Sequence, residues 1–136
     1  MKYLLDTNIC IALIRQRPAG LLQRLTTLEP GEVSLSSITL AELIYGAAKS
    51  SQTEQNLAAL EQFLLPLELV SFDESAATAY GQIRAGLERE GKVIGSMDML
   101  IAAHALSLNT ILVTNNTKEF GRVSGLLLED WISETR

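Results

Sequence analysis

A short apolar run that ends abruptly in an acid opens the chain, and this junction constrains the fold more than any other stretch. Residues 3–5 are too few and too β-prone for a helix, and their apolar character is typical of a strand buried on both faces of a parallel sheet. Asp6 ends the strand, and Thr7 and Asn8 suit the start of the apolar-rich helix that follows. Ligands of open α/β sheets gather at the carboxyl ends of strands. Asp6 is therefore placed either for chemistry or only to cap the helix.

The length and composition predict a single domain over residues 1–136 that buries a full core, because 47% of the residues are hydrophobic. No apolar run approaches the roughly 20 residues that a membrane-spanning helix needs, so we expect no membrane partner. The start of the chain lacks the small-residue cleavage site of a signal peptide. Cys10 is the only cysteine, which excludes an internal disulfide and favours a reducing cytoplasm.

The net charge of −5 argues against a protein that coats nucleic acid through general attraction to phosphates. A nuclease is still compatible with this charge, because bound metal ions reverse the charge of an acidic pocket. Arg15 and Arg17 lie close together near the N-terminus and are candidates for contact with a backbone phosphate. The alternative is that both belong to a solvated surface.

Strand and helix patterns alternate along the rest of the chain. Short runs at residues 33–36, 67–72, 110–114 and 126–128 are predicted as strands. Between them, apolar residues at spacings of three and four predict amphipathic helices, of which one long helix is capped by Asp73 and stopped by Gly91. Because strands that alternate with helices form parallel sheets, the fold class is predicted as α/β with helices on both faces of the sheet.

Three acids stand apart from the others by their positions. Asp6 ends the first strand, Glu42 lies on the helix after the second strand, and Asp98 lies in the first turn of an apolar helix. In a parallel sheet these positions, and Asn115 or Asn116 after a later strand, converge at the end of the sheet where the strands terminate. Carboxylates that meet there repel one another unless a cation joins them. Mg²⁺ or Mn²⁺ suits such oxygen ligands and would support hydrolysis of a phosphodiester. The alternative is that the acids only cap helices.

His104 and Cys10 are interpreted as structural residues. His104 follows Asp98 by six residues, about one and two-thirds helical turns, so the two side chains are expected on different faces of the helix. A lone histidine in an apolar helix usually makes a hydrogen bond and nothing more. A nucleophile–base pair of Cys10 and His104 lacks an evident third orienting group.

Several stretches keep the order and spacing of a known family. They are residues 5–8 (Leu-Asp-Thr-Asn), 38–46 (Ile-Thr-Leu-Ala-Glu-Leu-Ile-Tyr-Gly), 98–105, 112–116 with Phe120, and 125–126 with 129–131. Together they resemble the PIN-domain ribonucleases, and the last of them resembles the VapC toxins of bacterial toxin–antitoxin pairs. Each motif is weak alone, but the resemblance spans nearly the whole chain and the combination is highly specific.

The resemblance implies a PIN-like three-layer fold, with a five-stranded parallel sheet and the first strand at its centre. It also implies a metal-dependent endonuclease that cuts RNA, is inhibited by a VapB-type antitoxin and forms a homodimer. The Ile-Tyr-Gly sequence after Glu42 and the Thr-Asn-Asn stretch look most like the enteric VapC toxins, which cut initiator tRNA in the anticodon loop. The expected substrate is therefore tRNA.

The resemblance also assigns roles by position. Asp6, Glu42 and Asp98 match the three core acids of the family, and Asp6 and Asp98 match its main metal ligands. Asn116 stands where many relatives carry a fourth acid, and an amide there brings no charge. Whether one or two metal ions bind is therefore left open.

The resulting hypothesis has Asp6 and Asp98 bind Mg²⁺ or Mn²⁺, while Glu42 orients or deprotonates the water that attacks the phosphate. The cut leaves a 5′-phosphate and a 3′-hydroxyl. Five further residues lie near enough in the sequence to support the acids or to contact substrate: Thr7, Asn8, Ser96, Thr114 and Asn116. Thr7 is equally suited to be only a helix-start residue. Substrate choice is expected to depend on loop shape and splayed bases.

Three alternatives stay open at this point. The same chemistry could act on ribosomal RNA or mRNA. A non-catalytic PIN-like module could bind RNA or a partner without cutting, and the missing acid at Asn116 is the one feature in its favour. An aspartyl-phosphate enzyme or receiver domain also places an acid at a strand end, but Asn8 stands where the phosphatases carry a second Asp, and the paired acids of receivers are absent.

Overall fold

The computed structural model describes residues 1–134, in which five strands and eight helices alternate. The strands are β1 Tyr3–Leu5, β2 Val33–Ser36, β3 Glu68–Val70, β4 Ile111–Val113 and β5 Leu127–Glu129. The helices are α1 Thr7–Arg15, α2 Ala19–Thr26, α3 Ser37–Ala48, α4 Thr53–Leu64, α5 Glu74–Glu90, α6 Ser96–Leu108, α7 Thr117–Phe120 and α8 Trp131–Glu134. That residues 1–136 form a single domain stays a prediction, and residues 135–136 lie outside the described residues.

The five strands form one parallel sheet in the order β3-β2-β1-β4-β5, so the first strand of the chain lies at the centre. This confirms the predicted fold class. The strand predicted at residues 67–72 is shorter, because β3 is an edge strand that pairs only along the short β2. Its Leu69 is 51% exposed. Within residues 1–134 no helix combines the length and apolar character needed to cross a bilayer.

Alternation along β1 divides the core into two layers, one on each face of the sheet. Tyr3 and Leu5 belong to one apolar cluster, and Leu4 belongs to the other. The first cluster includes Ile9 and Leu13 of α1, Leu21 of α2, Leu43 of α3 and Leu60 of α4. The second includes Leu87 of α5 and Met99, Ile101 and Ala102 of α6. The three layers predicted from the resemblance are therefore present, with helices on both faces.

Helix ends follow the predicted signals. The N-cap of α1 is Asp6, whose Oδ1 accepts a hydrogen bond from the backbone N–H of Ile9 at 2.8 Å, and the helix starts at Thr7, within the pair proposed from sequence. Asp73 caps α5 as predicted, and Gly91 ends that helix with a φ of 67°. Asp6 therefore does cap α1, as the capping alternative predicted. Its carboxylate also belongs to the group of acids described below.

Candidate active site

Asp6 lies where the carboxyl ends of the two central strands meet. Its backbone N–H donates to the carbonyl of Val113 at 3.0 Å, which extends the β1–β4 ladder by one residue and brings Asp6 beside Thr114. The Asp6 residue is only 3% exposed. Its carboxylate accepts hydrogen bonds from the Ile9 backbone and from the Thr114 hydroxyl. The sheet and the start of α1 together hold this side chain in a buried position.

Burial raises the pKa of Asp6 from its ordinary 3.8 to about 6, because the charged form loses its hydration. The hydrogen bonds from Thr114 and Ile9 favour the charged form and oppose this increase. The negative charges of Asp98 and Glu42 add to it. The three acids singled out in the sequence therefore lie close enough in space for their charges to interact, although they come from three distant segments of the chain.

Asp98 is the half-buried acid in the first turn of α6. Its pKa is raised first by burial and then by the charges of Glu119 and Glu42. Gly95 precedes the helix, and a Cβ atom there would lie 3.4 Å from Oδ2 of Asp98. An added Cβ atom would therefore be in ordinary van der Waals contact with the carboxylate.

Glu42 reaches the site from α3, and Thr7 of α1 fixes its carboxylate. The Thr7 hydroxyl donates to Oε1 of Glu42 at 2.6 Å, and its oxygen lies 3.4 Å from the hydroxyl oxygen of Thr39. Thr7 is also the first residue of α1. The interpretation of Thr7 as only a helix-start residue does not account for this hydrogen bond, which links two helices next to Asp6.

Glu119 on α7 supplies a fourth carboxylate that the sequence analysis missed. Its charge contributes to the raised pKa of Asp98, and its Oε2 accepts a hydrogen bond from the Asn116 side-chain amide at 3.4 Å. Asn116 itself brings no charge, but it directs an acid three residues later toward the site. The signal was available in the sequence, because residues three apart share one side of a helical turn.

The other residues predicted near the acids divide into two groups. Thr114 contacts Asp6, and its hydroxyl also accepts from the backbone N–H of Asn116 at 2.9 Å. Asn8 and Ser96 are exposed, and their side chains make no hydrogen bond to the acids in the part of the chain that the structure describes.

A cleft of about 810 Å³ starts at the Thr7–Glu42 pair and extends between α1, α3 and α4. Arg15, at the end of α1, lines this cleft together with Asn8. Arg17 lies beyond the end of α1 and is not among the lining residues. Of the two arginines proposed from sequence to contact phosphate, the structure thus brings one to the cleft.

His104 and Cys10 lie in the core. The Nδ1 atom of His104 is 2.7 Å from the hydroxyl of Ser36, and its ring packs edge-on against Phe72. Burial raises the pKa of the Cys10 thiol well above its ordinary range, which disfavours the thiolate that a nucleophile requires. Both environments agree with the structural roles predicted for these residues.

The donor set fits a hard divalent cation. Asp6 and Asp98 are both acids whose ionisation is opposed by burial and by neighbouring negative charge, and a cation between them would offset both effects. Within residues 1–134, no three acidic, histidine or cysteine side chains already form a group that could hold a metal by themselves. Mg²⁺ does not need such a cage, because it binds through one or two carboxylates and completes its shell with water and substrate phosphate.

A PIN-domain family model matches residues 3–126. With the parallel sheet and the converging acids, this match defines the chain as a PIN domain. The tRNA(fMet)-specific endonuclease VapC of Shigella flexneri is 50% identical over 131 residues, which are 96% of this chain and 98% of the relative. The ribonuclease VapC2 of Rickettsia felis is 46% identical and covers the same shares. The chain therefore belongs to the VapC ribonucleases of the PIN-domain family.

Solved structures give the same result in three dimensions. The crystal structure of DNA-bound VapBC from Salmonella typhimurium superposes with a TM-score of 0.92 at 46% identity, over 96% of this chain and 98% of that chain. The structure of VapBC2 from Rickettsia felis, bound to a DNA fragment from its promoter, gives a TM-score of 0.91 at 45% identity, over 96% and 99%.

Proposed function

We propose that this chain is the toxin of a type II toxin–antitoxin pair, a Mg²⁺- or Mn²⁺-dependent endoribonuclease that cuts initiator tRNA in the anticodon loop. The observation that carries the proposal is the convergence of Asp6, Glu42 and Asp98, because the charges of Asp98 and Glu42 add to the raised pKa of Asp6 and the charge of Glu42 adds to the raised pKa of Asp98. The relatives from Shigella flexneri and Salmonella typhimurium are named tRNA(fMet)-specific endonucleases, which supports the choice of substrate.

Asp6 and Asp98 are the proposed ligands of the cation, with Glu119 beside Asp98. When bound, the cation supplies positive charge for the phosphate oxygens and lowers the pKa of water. Glu42, oriented by its hydrogen bond from Thr7, takes the proton of the water that attacks phosphorus in line. The bond to the 3′ oxygen breaks, so the products are a 5′-phosphate and a 3′-hydroxyl.

A VapB-type antitoxin is the proposed inhibitor, and a homodimer the proposed assembly. The support is that the similar structures from Salmonella typhimurium and Rickettsia felis are VapBC complexes. Co-expression with the small protein encoded beside this chain should yield a complex that no longer cuts RNA. We place the activity in the cytoplasm, where an unpaired buried thiol such as Cys10 stays reduced.

The central test compares Asp6→Asn and Asp98→Asn with the control Glu61→Gln, an exposed acid on α4. With Mn²⁺ and initiator tRNA, both Asn variants should lose at least 100-fold in cleavage rate, and the control should keep the wild-type rate. EDTA should abolish cleavage by the wild type. A folded Asn variant that cuts at the wild-type rate would refute the assignment of the acids.

The same protein preparation tests the three alternatives. Sequencing the 5′ ends that appear after brief expression distinguishes initiator tRNA from ribosomal RNA and mRNA. If the chain is a non-catalytic module, no new 5′ ends should appear with Mn²⁺. RNA should then bind equally well with Mn²⁺ and in EDTA. An aspartyl-phosphate enzyme predicts a beryllofluoride adduct on Asp6, which a nuclease of this kind does not form.

A further inference from the structure

One face of α3 leads from the acid site into the cleft. Glu42, Tyr45, Gly46 and Lys49 follow one another at steps of three, one and three residues, so they lie along one side of the helix. All four line the cleft of about 810 Å³. At 1.5 Å per residue, Tyr45 lies about 4.5 Å and Lys49 about 10 Å beyond Glu42 along the helix axis.

Tyr45 is a large aromatic side chain left largely uncovered, at 64% exposure. The Nζ atom of Lys49 lies 5.0 Å from the centre of its ring. A Cβ atom added at Gly46 would meet nothing within 4 Å, so open space lies beside the ring. The arrangement is an exposed aromatic ring with a cation over one of its faces and open space at the next residue of the helix.

Cations border this surface on both sides of the cleft. Arg15 of α1 lines the opposite wall. In residues 1–134 neither Arg15 nor Lys49 forms an ion pair, although the chain carries a net charge of −5. Two cations that form no ion pair among the described residues, beside an exposed aromatic ring and continuous with the acid site, are complementary to the phosphates and bases of a strand of nucleotides.

We propose that this surface is an RNA subsite, in which one unpaired base stacks on Tyr45 in the space over Gly46 while Arg15 and Lys49 contact the flanking phosphates. The inference rests on the proposed ribonuclease function, because it assigns a place to the single-stranded part of that substrate. Sequence-specific recognition of RNA commonly uses unpaired bases stacked on aromatic side chains. The subsite selects a loop with a free base close to the bond that is cut.

The test uses the full chain in EDTA, so that binding is measured without cleavage. The probes are stem-loop RNAs that carry 2-aminopurine at one unpaired position each, since stacking quenches its fluorescence. Tyr45→Phe should bind as the wild type does and quench one probe. Tyr45→Leu, which keeps the bulk but not the π face, should bind roughly 5- to 150-fold more weakly and lose that quenching. Gly46→Leu, which fills the gap, should have the same effect.

Two further measurements complete the test. Lys49→Ala should reduce the slope of log affinity against log salt by about 0.7, whereas Lys92→Ala, at an exposed lysine that does not line the cleft, should not. Equal RNA binding and quenching by the wild type and Tyr45→Leu would overturn the subsite, even if the wild type cleaves RNA with Mn²⁺. So would variants that weaken only association with a protein partner, because the surface would then dock protein. Failure of the wild type to cleave any RNA would instead reject the ribonuclease function.

Discussion

Replacing Asp6 with Asn should stabilise the fold at neutral pH in the absence of divalent cations. Asp6 is buried at the end of β1, and its carboxylate has no positively charged partner among the described residues. Its pKa of about 6 means that the folded protein holds the ionised form less favourably than the unfolded chain does. An Asn side chain keeps an oxygen that can accept from the backbone of Ile9, and therefore preserves the cap of α1.

The magnitude follows from the pKa. A difference of about two between the folded state and the ordinary value of 3.8 corresponds to roughly 3 kcal/mol of unfolding free energy. Between pH 3.8 and about 6 the folded state binds more protons than the unfolded state, so the contribution of Asp6 to stability falls as pH rises through this window and stays low above it. The Asn variant has no such loss.

Urea and thermal unfolding in EDTA, at pH 4 and at pH 7.5, measure this difference. The variant should exceed the wild type by up to roughly 3 kcal/mol at pH 7.5, on the order of 10 °C in Tm, and the difference should shrink toward zero at pH 4. Glu61→Gln is the control for loss of an exposed acid. Added Mn²⁺ should stabilise the wild type and leave the Asn variant nearly unchanged.

Two outcomes would refute the reasoning. If the Asn variant is less stable than the wild type at pH 7.5 in EDTA, the carboxylate contributes favourable contacts that outweigh its desolvation. If the difference between the two proteins is the same at both pH values, ionisation of Asp6 does not control it.

Three further predictions concern the residues around the acids. Thr7→Val removes the hydrogen bond to Glu42, so cleavage should slow by about 10-fold while Tm, measured in parallel, changes by only a few degrees. Glu119→Gln removes a negative charge near Asp98, so the pKa of Asp98 measured by NMR titration should fall, and Mn²⁺ affinity measured by calorimetry should weaken. Gly121→Ala would place a Cβ atom 2.7 Å from a backbone carbonyl oxygen of α7, so chemical denaturation should show a loss of about 1–3 kcal/mol, whereas Gly81→Ala, in open space on α5, should show none.

The sheet and its order were accessible from the sequence because short apolar runs alternate with helical patterns, and because the resemblance fixes β1 at the centre. The ends of the elements were less accessible. The strand predicted at residues 67–72 includes residues that have no partner strand at the edge of the sheet, and a hydrophobic pattern does not encode that. The cap of α1 at Asp6 was one of the two roles predicted for that residue, and the helix starts at Thr7 as the sequence suggested.

Three of the four converging acids were identified by position: Asp6 ends a strand, Asp98 lies in the first turn of a helix, and Glu42 lies on the helix after the second strand. Glu119 was missed because Asn116 stands at the place of the expected acid, although the spacing of three residues puts Glu119 on the same side of the helical turn. The bond between Thr7 and Glu42 depends on how α1 packs against α3, which is a tertiary contact between residues 35 positions apart. The burial of Asp6 and Asp98, and the raised pKa values that follow from it, likewise depend on how the helices pack against the sheet.

The pairing of β1 with β4 joins the first residues of the chain to residues that a ribosome adds more than a hundred positions later. Until Ile111–Val113 have left the exit tunnel, β1 lacks its neighbour β4. Asp98 and Glu119 are then not held in position near Asp6. We therefore expect nascent chains to be inert toward RNA until β4 and α7 have been made. The order of the strands thus delays completion of the acid site until about a hundred residues after Asp6 have been added.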